Sequence, residues 1–565
     1  MQQQIQIPTR ENFLNDNDLI DYKEPLLFLP IDVEDLFFKE YKLKLSGILI
    51  NGKKVIVYLS GIKIFFDILV NKNQNQNQNQ IIEYLNIQKY EIIKKYPINE
   101  YNKEKKTFIR VYSDNLTDRK NLLTRINEET EYKTYSNDLT YYRRKIAREY
   151  QLKLTEWNIL EKYSINSEKT IIDLSINDFK LLNQNEINNS IINNYLNKEK
   201  IMIMTWDIET YSSRPGELPT AKYDEDEVFM LCMTIHWKDE TIPLQKICLT
   251  TQQSNFEDDW LLIVCQDQIE LIKQFAECLN KLNPDFIFDF NGSQYDWPFI
   301  IGKAQKFGIL KDMIEIIINK KEIENDKYYI KNNRIKMSKE TIEKYYIKKN
   351  NIKVNAGDNQ ESCSLKIFGI IPIDVRIVYR KLYPNSEKSS LKYFLDLVNL
   401  ESKLDLPIKD LFKYYSEAKY GITNIEQSRK NMFEIAKYCL IDAQRCQELM
   451  VKLEVLKIYQ EVSSVAYVSL SDSYFYAGGM KVRNLIGAYA NKMDILITMN
   501  RNDIICKVEI LQNEIKQLEN TIKQLDKKDQ NLKQELDDKE KELSELIGKY
   551  PGAYVFPPDK GLEDQ

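Results

Sequence analysis

Asp207 and Glu209 stand two residues apart at the end of the largely apolar run from Ile201 to Trp206. Side chains two apart on a strand share a face, so the two carboxylates would lie side by side, within reach of one cation or repelling each other without one. Hydrolysis assisted by two Mg²⁺ ions calls for three or four carboxylates, because each ion is hard, prefers oxygen, and is only half neutralised by one pair of acids. Two more acids qualify. Asp296 follows the strand-like Phe286–Phe288 and precedes Trp297 and Pro298, at what reads as the first turn of a helix, where it could equally serve as a cap. Asp442 lies four residues after Tyr438, so on a helix the two share a face and leave Ala436, Leu440, Ala443 and Leu449 for the core. The pattern Asp-x-Glu also occurs at Asp32 to Glu34 and Asp538 to Glu540. By itself it reads as a solvated strand end.

The elements around these residues set what they can reach. The run before Asp207 is apolar on both parities, the mark of a central strand covered on both faces, and a site would open at its C-terminal edge. Residues 201 to about 460 alternate strand and helix signals and close on an amphipathic helix from about Gln427 to Tyr459, which predicts an α/β domain. Residues 1 to about 200 mix short strands with charged helices, and "NKNQNQNQNQ" at 71–80 reads as a flexible, low-complexity insert. The stretch "LSGILINGKKVIVYLSGIKIFFDILV" is broken by Lys53, Lys54 and Lys63, so it predicts a set of strands and not a membrane span. The polar, Lys-rich segment 319–360 is either a solvated loop or a basic, tyrosine-bearing arm for single-stranded nucleic acid.

From 504 to 547 apolar residues recur near four and three apart, from Ile504, Val508 and Leu511 to Leu543 and Leu546, with the seam interrupted between Asp526 and Asn531. A dimeric coiled coil and an antiparallel hairpin both fit. The hairpin returns both flanks to one body, whereas a straight helix at ~1.5 Å per residue would carry them several tens of ångströms apart.

At 565 residues and 43% hydrophobic the chain can supply cores for roughly three or four domains. A net charge of −5 neither supports nor excludes a nucleic-acid partner, since it says nothing about a local groove. Eight cysteines without a C-x-x-C pair argue against a zinc or iron–sulfur site and fit the reduced thiols of an intracellular protein. The single histidine, His236, has no histidine partner for metal binding or proton relay and reads as a partly buried strand residue. No signal peptide opens the chain.

Asp207-Ile-Glu209, then Asn291-Gly-Ser-Gln-Tyr295-Asp296, then Tyr438-x-x-x-Asp442, in that order, resemble the three exonuclease motifs of family B DNA polymerases, in the subtype that pairs four acids with a tyrosine. "LKLSGILINGKKVIVYLSGIKIFFDI" is similar to the family's N-terminal domain and "SSLKYFLDLVNLESKLDL" to the stretch before the third motif. "YPGAYVFPPDKGL" at 550–562 resembles the linker that joins exonuclease to palm, with Ala553 in place of its second glycine. The wording "NGSQYDWPF" looks most like polymerases of giant DNA viruses. None of the palm motifs follows the linker, so the resemblance implies only the N-terminal and proofreading half, as a fragment or one product of a split gene.

That resemblance implies a mixed-sheet, ribonuclease H-like exonuclease domain over 201–460, an α+β N-terminal domain over 1–200, a helical connection over 461–503, the heptad segment over 504–547 and a linker over 548–565. It implies two Mg²⁺ ions, with Mn²⁺ able to substitute, held by Asp207, Glu209, Asp296 and Asp442: Asp207 bridging both, Glu209 and Asp442 completing the hydrolytic ion, Asp296 holding the second. Tyr438 would orient the attacking water, Asn291 would contact the terminal nucleotide, and Phe290 or Tyr295 would stack on unpaired bases. The activity implied is 3′ to 5′ removal of the terminal nucleotide from single-stranded or mismatched DNA at a primer–template. The partners would be DNA and either a palm-bearing polypeptide or a sliding clamp, in the nucleus or a cytoplasmic replication site. A non-catalytic DNA-binding or scaffold half of a split polymerase is the alternative.

Overall fold

In the computed structural model the strand Met202–Ser212 lies inside a six-stranded mixed sheet, ordered Trp260–Val264, Gln245–Thr250, Asp226–Trp237, Met202–Ser212, Phe286–Asp289, Ile371–Asp374. It runs antiparallel to Asp226–Trp237 and parallel to Phe286–Asp289, which is parallel to Ile371–Asp374. Three strands therefore deliver their C-terminal ends to one edge. The strand is buried along nearly its whole length, as its doubly apolar pattern requires. Met202, Met204, Trp206 and Ile208 pack with Leu271 and Phe275 of the helix Gln268–Leu282 and with Trp297 and Ile300 of the helix Asp296–Lys306. Ile203, on the opposite face, packs with Tyr379 of the helix Val375–Leu382 and with Cys446 and Leu449 of the helix Ile425–Lys452. Each such side chain contributes about 1.5–3 kcal/mol on burial, which is why the covering helices follow from the apolar run. Helices on both faces of a mixed sheet make this the expected α/β, ribonuclease H-like class.

The structure describes residues 6–498 apart from 15–24, 38–39, 71–77, 99–103, 131, 139–140, 184–195, 215, 319–345, 356 and 403, together with 511, 514–515, 518 and 530–546. The chain forms two compact units, Met1–Ile64 with Leu139–Asp494, and Phe65–Asp138 with Ile495–Gln565. This division differs from the boundary expected at 200. The strands Leu26–Phe37, Tyr41–Leu49 and Lys54–Ser60 share a seven-stranded sheet with Asn158–Leu160 and Ile171–Ser175 in the first unit, whereas Tyr90–Pro97 and Lys106–Ser113 pair in a five-stranded sheet that also holds Ile495–Leu496. Sequence proximity does not reveal such returns of the chain.

Several local expectations are corrected. The amphipathic helix starts at Ile425, capped by the Asn424 side chain accepting from the Gln427 N–H, but stops at Lys452; Glu454 takes a left-handed conformation (φ 47°) and a new helix runs Val455–Ala466. A left-handed residue cannot propagate a right-handed helix, and the apolar pattern crosses the break without marking it. The insert expected over 71–80 ends early, since Gln78 to Gln80 open the helix Gln78–Leu85, while 71–77 lie outside the described residues. Of the polar segment 319–360, residues 347–353 pair with 359–365 as an antiparallel hairpin, and 319–345 lie outside the described residues. The connection 461–503 is helical at Leu470–Phe475 and Gly478–Lys492. In the heptad segment Lys539 Nζ meets Glu514 Oε2 at 2.7 Å across 25 residues of sequence. One straight helix would hold those residues apart by about 37 Å, so the described residues of the segment do not lie on one straight helix. The linker 548–565 lies outside the described residues.

Candidate active site

Asp207 and Glu209 occupy the strand Met202–Ser212 on the parity that faces the long helix, and the pairing with Asp226–Trp237 shifts register between Glu209 and Thr210. Such bulges bend a strand and re-aim its side chains, and they recur beside active sites. On the helix, the buried residues Met432, Ile435, Ala436, Cys439, Ala443 and Cys446 recur three and four apart against the sheet. Tyr438 and Asp442 flank that stripe, and the Cys439 thiol donates to the Asp207 carbonyl oxygen at 3.5 Å. This contact draws the helix onto the strand at the level of the acids.

The acids converge. Side-chain ligand atoms of Asp207, Glu209 and Cys439 lie within 4.8 Å of one another. Asp207 and Asp442 line one cavity of about 500 Å³ with Phe290, Asn291, Arg376, Ser389, Ser390, Leu391 and Cys446. Asp296, 4% exposed at the first turn of its helix, is held well above the usual carboxylate range by burial and by the charges of Asp207, Asp289, Asp374 and Glu209. Tyr438 is pushed up by burial and then by Asp442, Glu209 and Asp207, and its hydroxyl hydrogen-bonds to Asp442. It therefore stays a phenol at any pH near neutrality.

The donor set fits hard divalent cations. Cys439 is pushed well up by burial, so it remains a thiol and leaves only carboxylate oxygens as ligands. In the folded protein Asp296 binds its proton more tightly than in the unfolded chain, so without a cation stability falls as pH rises from about 3.9, the ordinary aspartate value, through the raised value. A cation needs the ionised acid and competes with that proton. Mg²⁺ at 100 times its Kd is accordingly expected to add about 2.7 kcal/mol at pH 8 and clearly less at pH 5.5. Thermal denaturation with and without Mg²⁺ at both pH values measures this, and an equal gain at both would place the cation elsewhere.

Asn291 and Phe290 line the cavity, with Phe290 edge-on to Phe394 at 6.3 Å. Tyr295 sits differently: its hydroxyl meets Thr210 Oγ1 at 2.7 Å and donates to the Pro219 carbonyl at 3.2 Å, and it does not line this cavity. His236 is fully buried, its Nε2 against Thr234 Oγ1 at 2.7 Å, and burial lowers it to about 4.

Three residues near the acids escape the sequence reading. Asp289 and Asp374 end adjacent parallel strands in register and are both nearly inaccessible. Burial and the neighbouring Asp374 push Asp289 well up, and burial raises Asp374, so the pair holds a proton above the ordinary range. Asp289 accepts from the Gly292 N–H at 3.0 Å and from Trp297 Nε1 at 3.2 Å; Asp374 accepts from the Asn291 N–H at 3.0 Å and from Ser293 Oγ at 2.6 Å. Together they pin the loop between Asn291 (φ 69°) and Asp296. The signal was present: each ends an apolar run with an acid, as the run before Asp207 does. Arg376 follows two residues later with no comparable signal. A Cβ on Gly292 would fall 2.5 Å from Asp289 Cγ. Gly292→Ala is therefore expected to cost about 1–3 kcal/mol in urea unfolding, since the overpacked site must shift.

Residues 132–396 match the family model of the exonuclease domain of DNA polymerase family B. The chain is 32% identical over 557 residues to the protein named DNA polymerase beta of African swine fever virus (isolate Warthog/Namibia/Wart80/1980), covering 97% of this chain and 40% of that protein. It is 31% identical over 88 residues to the DNA polymerase of Autographa californica nuclear polyhedrosis virus, 16% of this chain and 8% of that protein. Among solved structures it is similar to the family B DNA polymerase of the archaeon Pyrobaculum calidifontis, with a TM-score of 0.54 at 14% identity over 83% of this chain and 51% of that one. The chain thus spans about two fifths of the length of its African swine fever virus relatives. No described helix is long and apolar enough to cross a membrane. The matched exonuclease domain, the similarity along nearly the whole sequence and the shared fold agree: over residues 132–396 this chain matches the exonuclease domain of DNA polymerase family B, and along 97% of its length it is similar to a viral DNA polymerase.

Proposed function

We propose that this chain is a 3′ to 5′ exonuclease that removes the terminal nucleotide of single-stranded or mismatched DNA, the editing activity of a DNA polymerase. The observation that carries the reading is the meeting of Asp207 and Glu209 with the helix bearing Tyr438 and Asp442, around a cavity that Asn291 and Phe290 also line. Asp207, Glu209, Asp296 and Asp442 are the residues that would hold two Mg²⁺ or Mn²⁺ ions. Bound there, such ions would supply an activated water near neutral pH and charge neutralisation for the phosphate and the leaving 3′ oxygen. Tyr438, protonated and bonded to Asp442, orients the attacking water but does not serve as a base. Phe290 offers a stacking face to an unpaired base, and the Asn291 side chain offers polar contacts to the terminal nucleotide, which suits a frayed 3′ end.

The test uses 3′-labelled and 5′-labelled oligonucleotides, single-stranded or with a 3′ mismatch, in Mg²⁺ and in EDTA. Release of nucleoside monophosphates from the 3′ end, only with the cation, is expected. Cleavage that starts at the 5′ end or survives EDTA would refute the assignment. A folded but inactive chain that still binds DNA would favour the scaffold reading.

A further inference from the structure

We infer that Arg376 is a phosphate-binding residue of this site, taking a backbone phosphodiester of the single-stranded substrate against its guanidinium. The inference rests on the nuclease reading above and adds a substrate contact to it. Arg376 sits at the start of the helix Val375–Leu382, two residues past the acid that ends the strand Ile371–Asp374, and lines the same cavity as Asp207 and Asp442. Its side chain is half-buried, and its hydrogen-bond partners are neutral: Nε and Nη2 donate to Ser389, at 3.2 Å to the carbonyl and 2.9 Å to Oγ, and Nη1 donates to Asn291 Oδ1 at 2.5 Å and Gln294 Oε1 at 3.3 Å. Asp374 accepts the backbone N–H of Arg376.

These contacts fix the plane of the guanidinium without compensating its charge. Burial and the neighbouring Arg380 act against that charge, and the field of Asp374 offsets them only in part. On the nuclease reading the acid cluster takes the cations, which leaves the guanidinium to an anion. A phosphodiester lying in the cavity would meet the cation-holding acids on one side and, on the other, the guanidinium charge with the one Nη2 N–H that these contacts leave over. Asn291, placed for the terminal nucleotide, is held by the same guanidinium, so phosphate binding and nucleotide positioning are tied together.

The competing explanation is that Arg376 only props Ser389 and Asn291. Salt dependence separates the two, because binding to single strands weakens with a slope of about 0.7 per phosphate neutralised. Wild type, Arg376→Gln and Arg376→Lys would be compared for binding a fluorescent single-stranded oligonucleotide, protected at its 3′ end by phosphorothioates, over a salt series in Mg²⁺. Arg376→Gln keeps an amide donor and loses the charge. It is expected to flatten the slope by about 0.7 and to raise KM roughly tenfold or more, the scale of one charged hydrogen bond, with kcat within about threefold. Arg376→Lys should keep the slope.

A slope and affinity unchanged in Arg376→Gln would overturn the inference, as would an Arg376→Lys slope as shallow as that of Arg376→Gln. If Arg376→Gln melts well below wild type, the Arg376→Lys slope alone decides: retained supports the contact, flattened refutes it. Were the wild type to show no nuclease activity, the functional reading would fail while the salt slopes still judged Arg376.

Discussion

Replacing both Asp207 and Glu209 by alanine is expected to lower nuclease turnover by at least about three decades while leaving DNA binding largely intact. Removing a single positioned electrostatic group already costs about two to three decades in comparable chemistry, and here the pair that shares one strand face is lost together. The polar and stacking groups at Asn291, Phe290 and Arg376 lie outside the pair and remain. A second readout guards against misfolding. Asp296 is raised in part by the charges of Asp207 and Glu209, so the double variant should hold that proton less tightly and, without cation, lose less stability between pH 5.5 and 8 than the parent. Full activity in the variant would mean that the acids do no chemistry.

Tyr438→Phe should drop turnover by roughly one to three decades, the range for one general acid–base or orienting group, with the Mg²⁺-dependent gain in thermal stability preserved. The hydroxyl bonds to Asp442 and lies in the field of Asp207 and Glu209, yet contributes no ligand that the carboxylates do not already supply. Single-turnover kinetics alongside Mg²⁺ titration by denaturation temperature would separate the two effects. Unchanged turnover would assign the water to another group.

What the sequence disclosed and what it withheld follow from range. The first half of the strand Met202–Ser212 was legible because burial on both faces demands apolar residues on both parities, but the strand runs on through Asp207 and Glu209 to Ser212, where the sequence reading ended it at the acids. Tyr438 and Asp442 were legible because four residues is one helical turn. The end of their helix was not, since the left-handed Glu454 leaves no mark in a pattern of apolar spacing. Nor was the burial of Tyr295's hydroxyl against Thr210, a contact across 85 residues that only the folded sheet creates. Asp289 and Asp374 could have been found by the rule applied to Asp207, but their being neighbours depends on the order of strands, which local pattern does not encode. The ion pair between Glu514 and Lys539 excludes one straight helix through the two residues, which the heptad spacing alone does not.

The contact between the Cys439 thiol and the Asp207 carbonyl joins positions 232 residues apart. A chain emerging from the ribosome displays Asp207, Glu209 and Asp296 long before Tyr438 and Asp442 are made, and domains fold as their residues become available. During that interval the exposed acids have no helix to close against and no fourth carboxylate. On the nuclease reading, activity has to await the docking of the helix Ile425–Lys452, so that a truncated product ending before Ile425 would carry Asp207 and Glu209 without Tyr438 and Asp442.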